Sequence, residues 1–344
     1  MYRALSLTLL LAVLTSCAGT SVPYSVLRDA PLQGAPQDDT TRGAPQDDRI
    51  TGAVRRATVP IVGGCQIFPA NNPWNTDISN YPLDPRSDAY IAALPGNLHP
   101  DFGQDPHYGI PFNIVPASQK KVPVKFRYNS QSDPGPYPIP PNAQIEGGRH
   151  ASGDRHVLVL QKGVCKLYEM FDAYPVHGGK SWRAGSGAIF HLNSNKLRPN
   201  GWTSADAAGL PIIPALIKCD EVAAGEIDHA LRVTFQQTQR GYIHPATHFA
   251  SNSREKDLPP MGLRIRMKAS YDISGITGQS HVIAVAMKTY GMFVADNGSN
   301  WYFQGQGGRQ SSCWNDNDLD QLKNIPSTAF EVVETGRIRH KSGS

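Results

Sequence analysis

The sequence predicts a β-rich α+β fold, a mainly antiparallel sandwich or barrel-like sheet with a few short helices. Three observations predict it. Glycine and proline are dense, at 32 and 28 of 344 residues, which favours short strands joined by ordered loops over a helical protein. Several short runs alternate or concentrate apolar and β-branched residues, as half-buried and buried strands do. Few segments carry helical spacing, and these end at glycine or proline.

The chain opens MYRALSLTLLLAVLTSCAG. Arg3 precedes an apolar run over 5–14 that is too short to span a bilayer, so it reads as a signal peptide. Residues 14–17, LTSC, resemble the bacterial lipobox. That resemblance implies removal of residues 1–16 and lipidation of Cys17. Ala18, where an aspartate would retain the protein at the inner membrane, implies the outer membrane of a diderm envelope. Residues 17–60 read as the lipidated Cys and a disordered tether. GAPQDD occurs there twice, at 34–39 and 43–48, without apolar periodicity. Residues 61–344 then form a single extracytoplasmic domain whose N-terminal part, 61–150, is rich in loops.

Within that domain residues 87–94 read as a helix stopped by Pro95, and residues 122–128 alternate as a strand. Five prolines exclude regular structure from 132–148. Residues 157–161 and 166–174 form a hairpin. If Lys162-Gly163 is the whole turn, His156 faces Glu169 across the strands, whereas a longer turn shifts that register. Asp172 alternates onto the face opposite Glu169. Residues 186–192 are a buried strand. Ser204 could cap a short helix stopped by Gly209, and Asp220 another that ends at Gly225. Residues 232–235 and 263–267 are strands, the second with Arg264, Arg266 and Lys268 on an outer basic face. Residues 281–290 have the best helical pattern. Residues 292–303 read as a hairpin with Asp296 at its tip, and a capped helix follows over 316–325.

The runs NPWNTDIS, SGDRHVLVL, GWTSADAAGLPI, DEVAAGEIDHALR and YGMFVADNGSNW resemble a group of uncharacterised secreted bacterial proteins over residues 65–335. The resemblance implies a single extracytoplasmic domain and transfers no catalytic residue.

The net charge is +4, with acids and bases mixed along the chain, so no basic stripe marks a nucleic-acid site. Cys65, Cys165, Cys219 and Cys313 allow three pairings, and one or two disulfides are expected in an oxidising compartment. Hydrolysis of a glycosidic bond needs two acids flanking it and apolar rings for the sugar faces. Asp154, Glu169, Asp172, Asp206, Glu221, Glu226 and Asp296 supply acids, each of which could equally be a cap, a turn former or a surface ion pair. Asp206 and Asp296 lie beside Trp202 and Trp301 in loops, and they are the acid/base candidates. His156 and Glu169 are a supporting proton-transfer pair. Trp202, Trp301, Trp182 and Tyr137 are candidate sugar platforms. His244 and His248 stand four apart but lack the glutamate of a zinc helix. Asp316, Asp318 and Asp320 alternate without the glycine and glutamate of a calcium loop, so no cofactor is expected and calcium stays a weak alternative. No serine elbow or phosphate loop is present. The expected activity is that of a cell-surface lipoprotein acting on polysaccharide, with a glycan as partner and glycoside hydrolysis as the chemistry. The alternatives are a non-catalytic glycan-binding or envelope-structural lipoprotein, and a metal-dependent hydrolase.

Overall fold

The apolar runs fold into short strands that order into four sheets. The structure is a computed structural model, and it describes residues 59–341. Cys17 and the tether repeats lie outside the described residues. In chain order the strands are β1 (Ile61–Val62), β2 (Cys65–Gln66), β3 (His99–Pro100), β4 (Phe112–Val115), β5 (Val124–Phe126), β6 (Val157–Gln161), β7 (Lys166–Phe171) and β8 (Tyr174–Val176). They continue as β9 (Ser181–Ala184), β10 (Ser186–His191), β11 (Leu231–Phe235), β12 (Arg264–Met267), β13 (Met292–Asn297), β14 (Tyr302–Phe303) and β15 (Phe330–Val333). The α-helices are α1 (Ser87–Ala92), α2 (Cys219–Ala224), α3 (Gly278–Thr289) and α4 (Asp316–Leu319).

The largest sheet has the order β15-β12-β13-β11-β14-β3, and a second has the order β10-β7-β6-β4. A three-stranded sheet, β5-β9-β8, and the pair β1-β2 complete the set. Most pairings are antiparallel, but β11–β13, β14–β3, β4–β6 and β5–β9 are parallel. The fold is therefore β-rich α+β with mixed sheets, one of them curled as a half-barrel. The described residues fall in one compact unit, 55–344.

The second sheet explains why VLVLQ is apolar without alternation. Leu158, Leu160 and Leu167 pack into the main core, while Val157, Val159, Tyr168 and Met170 pack into a smaller one on the opposite face. A strand covered on both faces has no solvent side to mark with polar residues. Disulfides Cys65–Cys165 and Cys219–Cys313 tie β2 to the turn after β6, and α2 to the 3-10 turn Gly308–Cys313.

Four expectations are corrected. The β6–β7 turn spans four residues, because Gln161 pairs with Lys166, so Glu169 faces Leu158 and not His156. The arginines of β12 do not face solvent. Arg264 stacks 4.1 Å from the Phe293 ring centre and donates to the carbonyls of Tyr290 and Pro73, and Arg266 pairs with Glu331 at 2.7 Å. Segment 73–81 covers that face, and its carbonyls take the guanidinium protons. Residues 292–303 are not a hairpin, since β11 lies between β13 and β14. No helix forms over 204–208; Ser204 Oγ instead accepts from the Asp206 N–H at 2.9 Å and donates to the Leu210 carbonyl at 2.6 Å. Those bonds close a tight polar loop in place of a helical turn.

Candidate functional site: a charge cluster across the large sheet

Four neighbouring strands of the large sheet carry a row of polar side chains. Asp296 stands on β13 and Arg232 on β11; Gln304 follows β14 and Asp101 follows β3. A one-residue bulge leaves Ala295 unpaired and sets Asp296 opposite Thr234, two residues along from Arg232. Bulges re-aim side chains in this way, and without it Asp296 would fall opposite Phe235.

Arg232 is the hub. Its Nε and Nη2 donate to Asp206 Oδ2 at 3.2 and 2.9 Å, and Nη2 lies 3.9 Å from Asp296 Oδ2. Its Nη1 donates to Gln304 Oε1 at 2.6 Å, and Gln304 Nε2 donates onward to Asp101 Oδ2 at 3.4 Å. Asp206 is wholly buried and also accepts from the Ala208 N–H at 3.2 Å. Asp296 accepts from the Ala207 and Asn297 N–H groups at 3.2 and 2.7 Å, and 24% of its side chain stays exposed.

A second pair stands beside this row. His156 Nδ1 lies 2.6 Å from Glu146 Oε2, and His156 Nε2 lies 3.0 Å from the Ala205 carbonyl. Both partners can only accept, so both ring nitrogens carry protons and the ring is an imidazolium. Burial works against that charge, yet the Glu146 carboxylate and its hydrogen bond outweigh it and lift the ring to about 9. Burial likewise opposes the charge on Glu146, and the imidazolium overrides it, holding the carboxyl below its ordinary range. Glu146 keeps 24% of its side chain exposed.

Environment thus divides the acids. Burial, followed by the charge of Asp206, pushes Asp296 up to about 7. Burial also raises Asp101. Asp206 is raised by burial as well, but Arg232 opposes this with its charge and hydrogen bonds. The ion pair makes Asp206 the charged member of the two aspartates and Asp296 the proton holder. When titratable groups side by side are driven apart, acid and base roles separate.

The structure brings the four residues proposed for chemistry into one region, each held by its own partners. Glu169 is fully buried and makes no hydrogen bond to His156. Its carboxylate accepts from the Ile212 N–H at 2.8 and 3.0 Å and from the Ile213 N–H at 2.9 Å. It anchors the far end of the loop that carries Asp206, and burial pushes it up to about 7. Asp206 is locked to Arg232. Glu146, Arg232, Asp101 and Gln304 were not singled out from the sequence. Arg232 had a usable signal, an arginine between Leu231 and Val233 in an apolar strand, where a charge needs a buried partner. Glu146 had none, because it follows a proline-rich segment without periodicity.

The aromatic candidates separate as well. Trp301 is fully buried, packs on Phe235 and Phe330, and donates Nε1–H to the Leu94 carbonyl at 2.7 Å. Tyr137 is fully buried against Phe126 and Tyr168. Both are core rather than platforms for a sugar. Trp202 is half-buried beside Arg198 and lines one cleft, and Trp182 lines another. His244 bonds Asn200 and His248 bonds the Ala207 carbonyl, so the two histidines do not converge. Asp316, Asp318 and Asp320 do not converge either; they cap Gln104 N–H, cap Gln279 N–H and pair with Lys323. Among the described residues no group of three His, Cys, Asp or Glu is placed to hold a metal ion.

Comparisons with protein-family models, with curated proteins and with solved structures return no match to this chain.

Proposed function

We propose that the protein is a polysaccharide hydrolase in which Asp296 donates the proton and Glu146 acts as the base. One observation carries this reading. Of the clustered acids, these two keep part of their side chains exposed while being driven in opposite directions, one towards the protonated and one towards the ionised form. Both lie within electrostatic reach of Arg232, whose positive charge keeps the row of acids around it in fixed charge states. Asp206 keeps Arg232 in place, and Glu169 and His156 hold the surrounding loops, so these three are positioning residues. The two disulfides support an extracytoplasmic location for this activity. No helix among the described residues is long and apolar enough to cross a membrane, and lipidation of Cys17 is the attachment we propose.

The test is a panel of bacterial, plant and algal polysaccharides, read by release of reducing ends. Asp296→Asn and Glu146→Gln are each expected to cut turnover by about 10²–10⁴-fold without loss of binding. Full activity in either variant would overturn the assignment. A non-catalytic glycan-binding role is favoured by one feature, namely that Trp182 and Trp202 line clefts whose walls do not include Asp296 or Glu146. Binding to a polymer that is never cleaved would establish that second reading.

A further inference from the structure

The turn that carries Glu146 forms, on either side of that residue, one wall of a cleft with a different character. Ile145, Gly148 and Arg149 line it, with Arg309 and Trp182 among the other wall residues, and its volume is about 500 Å3. That is within the range of ~300–1,000 Å3 typical of small-molecule sites. The charged side chains in its lining are Arg149 and Arg309, and His107, which also lines it, lies 2.8 Å from Asp105. Arg309 has no carboxylate partner among the described residues. Its Nη2 donates to the Asn142 carbonyl at 3.0 Å, and its N–H donates to Gln144 Oε1 at 2.8 Å. Those bonds fix the side chain at the rim and leave its other donors unused. Arg149 is exposed and has no ion-pair partner among the described residues.

Trp182 adds an independent observation. It is 5% exposed, yet its Nε1–H has no hydrogen-bond acceptor among the described residues. The Nε1 atom is sealed from solvent, and the ring packs into the smaller core while lining the cleft wall. The two guanidinium forks at this cleft have no carboxylate partner among the described residues.

We propose that this cleft binds an anionic sugar unit, carrying carboxylate or sulfate, of the polysaccharide that the neighbouring acids cleave. Arg149 and Arg309 engage the oxyanion, since guanidinium forks match the paired oxygens of such groups. The proposal rests on the polysaccharide reading above and adds the charge of the substrate to it.

The experiment is affinity electrophoresis of the folded chain in gels containing polygalacturonate, dextran sulfate or neutral dextran, followed by titration with the polymer that binds. The expected result is retardation by an anionic polymer and none by neutral dextran. Arg149→Ala/Arg309→Ala is expected to weaken binding at least tenfold. Arg254→Ala/Lys256→Ala removes two exposed cations outside the cleft and is expected to bind as the parent does. Equal loss in that control pair would reduce the effect to net charge and overturn the site. So would undiminished binding by the arginine variant, or equal retardation by neutral dextran. Thermal unfolding of each variant separates lost contact from lost fold. The stronger of the two anionic polymers identifies the anion as carboxylate or sulfate. Binding through the arginines without release of reducing ends would keep the cleft and sink the hydrolase. Cleavage of neutral polymers alone would do the reverse.

Discussion

His156 Nδ1 stands 2.6 Å from Glu146 Oε2 while its Nε2 faces the Ala205 carbonyl, so the ring is held as a cation inside the protein. The pair joins the loop carrying Glu146 to the loop carrying Asp206, and its charge state sets a stability window. The folded ring titrates at about 9, above the ordinary 6.5. Its contribution is fully present below pH 6.5 and is lost as pH rises through about 9. Glu146 is shifted down from 4.5, so its contribution is present above that value and is lost as pH falls through the lower folded value. In denaturant unfolding the His156 contribution should decline between pH 6.5 and about 9 and level off above that. Glu146→Gln should remove that decline and cost about 2 kcal/mol at neutral pH, since a buried imidazolium then lacks its counter-charge.

Asp296 and Glu146 together predict a bell-shaped dependence of kcat/KM on pH. The acid limb belongs to Glu146 and falls below pH 4.5, because the base must be ionised. The basic limb belongs to Asp296 and falls near pH 7, as the proton donor ionises. Asp296→Asn should abolish turnover and raise the unfolding midpoint at pH 7 and above. The sign follows from linkage: a carboxyl raised above its unfolded value of 3.8 disfavours the folded state once the unfolded chain can ionise. A variant both inactive and less stable at pH 8 would contradict this account.

Much of the fold is legible in the sequence, because periodicity and breakers act over a few residues. Gly225 ends α2 in the left-handed conformation, as its position after an apolar run predicts. The paired strands at 157–171 follow from the density of their β-branched and apolar residues. Their register does not, because Lys162-Gly163 is compatible with turns of two or four residues, and only the longer one lets Cys165 reach Cys65. Asp206 stands out as a polar residue in a glycine-flanked loop, whereas Asp296, also expected in a loop, lies at the end of β13. Arg232, between them in space, is set by the parallel pairing of β11 with β13, a contact between segments about sixty residues apart. No local pattern encodes it. Trp301 misleads for the same reason: in a hairpin it would sit at the tip, but with β11 inserted it falls into the core.

Glu169 offers a prediction that separates positioning from chemistry. Its carboxylate takes the N–H groups of Ile212 and Ile213, where the chain enters the 3-10 turn Ile213–Ala215. Glu169→Gln replaces one acceptor oxygen by a donor and sets it towards those amides. The cost should be about 1–3 kcal/mol, as for a buried donor left unsatisfied. At a temperature where the variant stays folded, its kcat should fall within a few fold of the parent. A loss of 10²-fold or more in a folded variant would return Glu169 to the chemistry.

Arg232 holds the row of polar side chains together, and removing it has two separable consequences. Asp206 is fully buried, and Arg232 is the one basic side chain within 4.0 Å of it among the described residues. Arg232→Met leaves that carboxylate uncompensated, which should cost about 3–5 kcal/mol. Asp206→Asn in the same chain should recover a large part of the loss, because the desolvated charge is gone while the Ala208 N–H keeps an acceptor. Activity should not recover with stability. Without the guanidinium, Asp296 loses its neighbouring cation and Gln304 loses the partner that orients it towards Asp101. Arg232→Lys should fall between: it keeps the charge but lacks the fork that reaches Asp206, Asp296 and Gln304 together. Denaturant unfolding and kcat measured on the single and double variants decide the matter, and a double variant that regains both stability and turnover would show that Arg232 serves the fold alone.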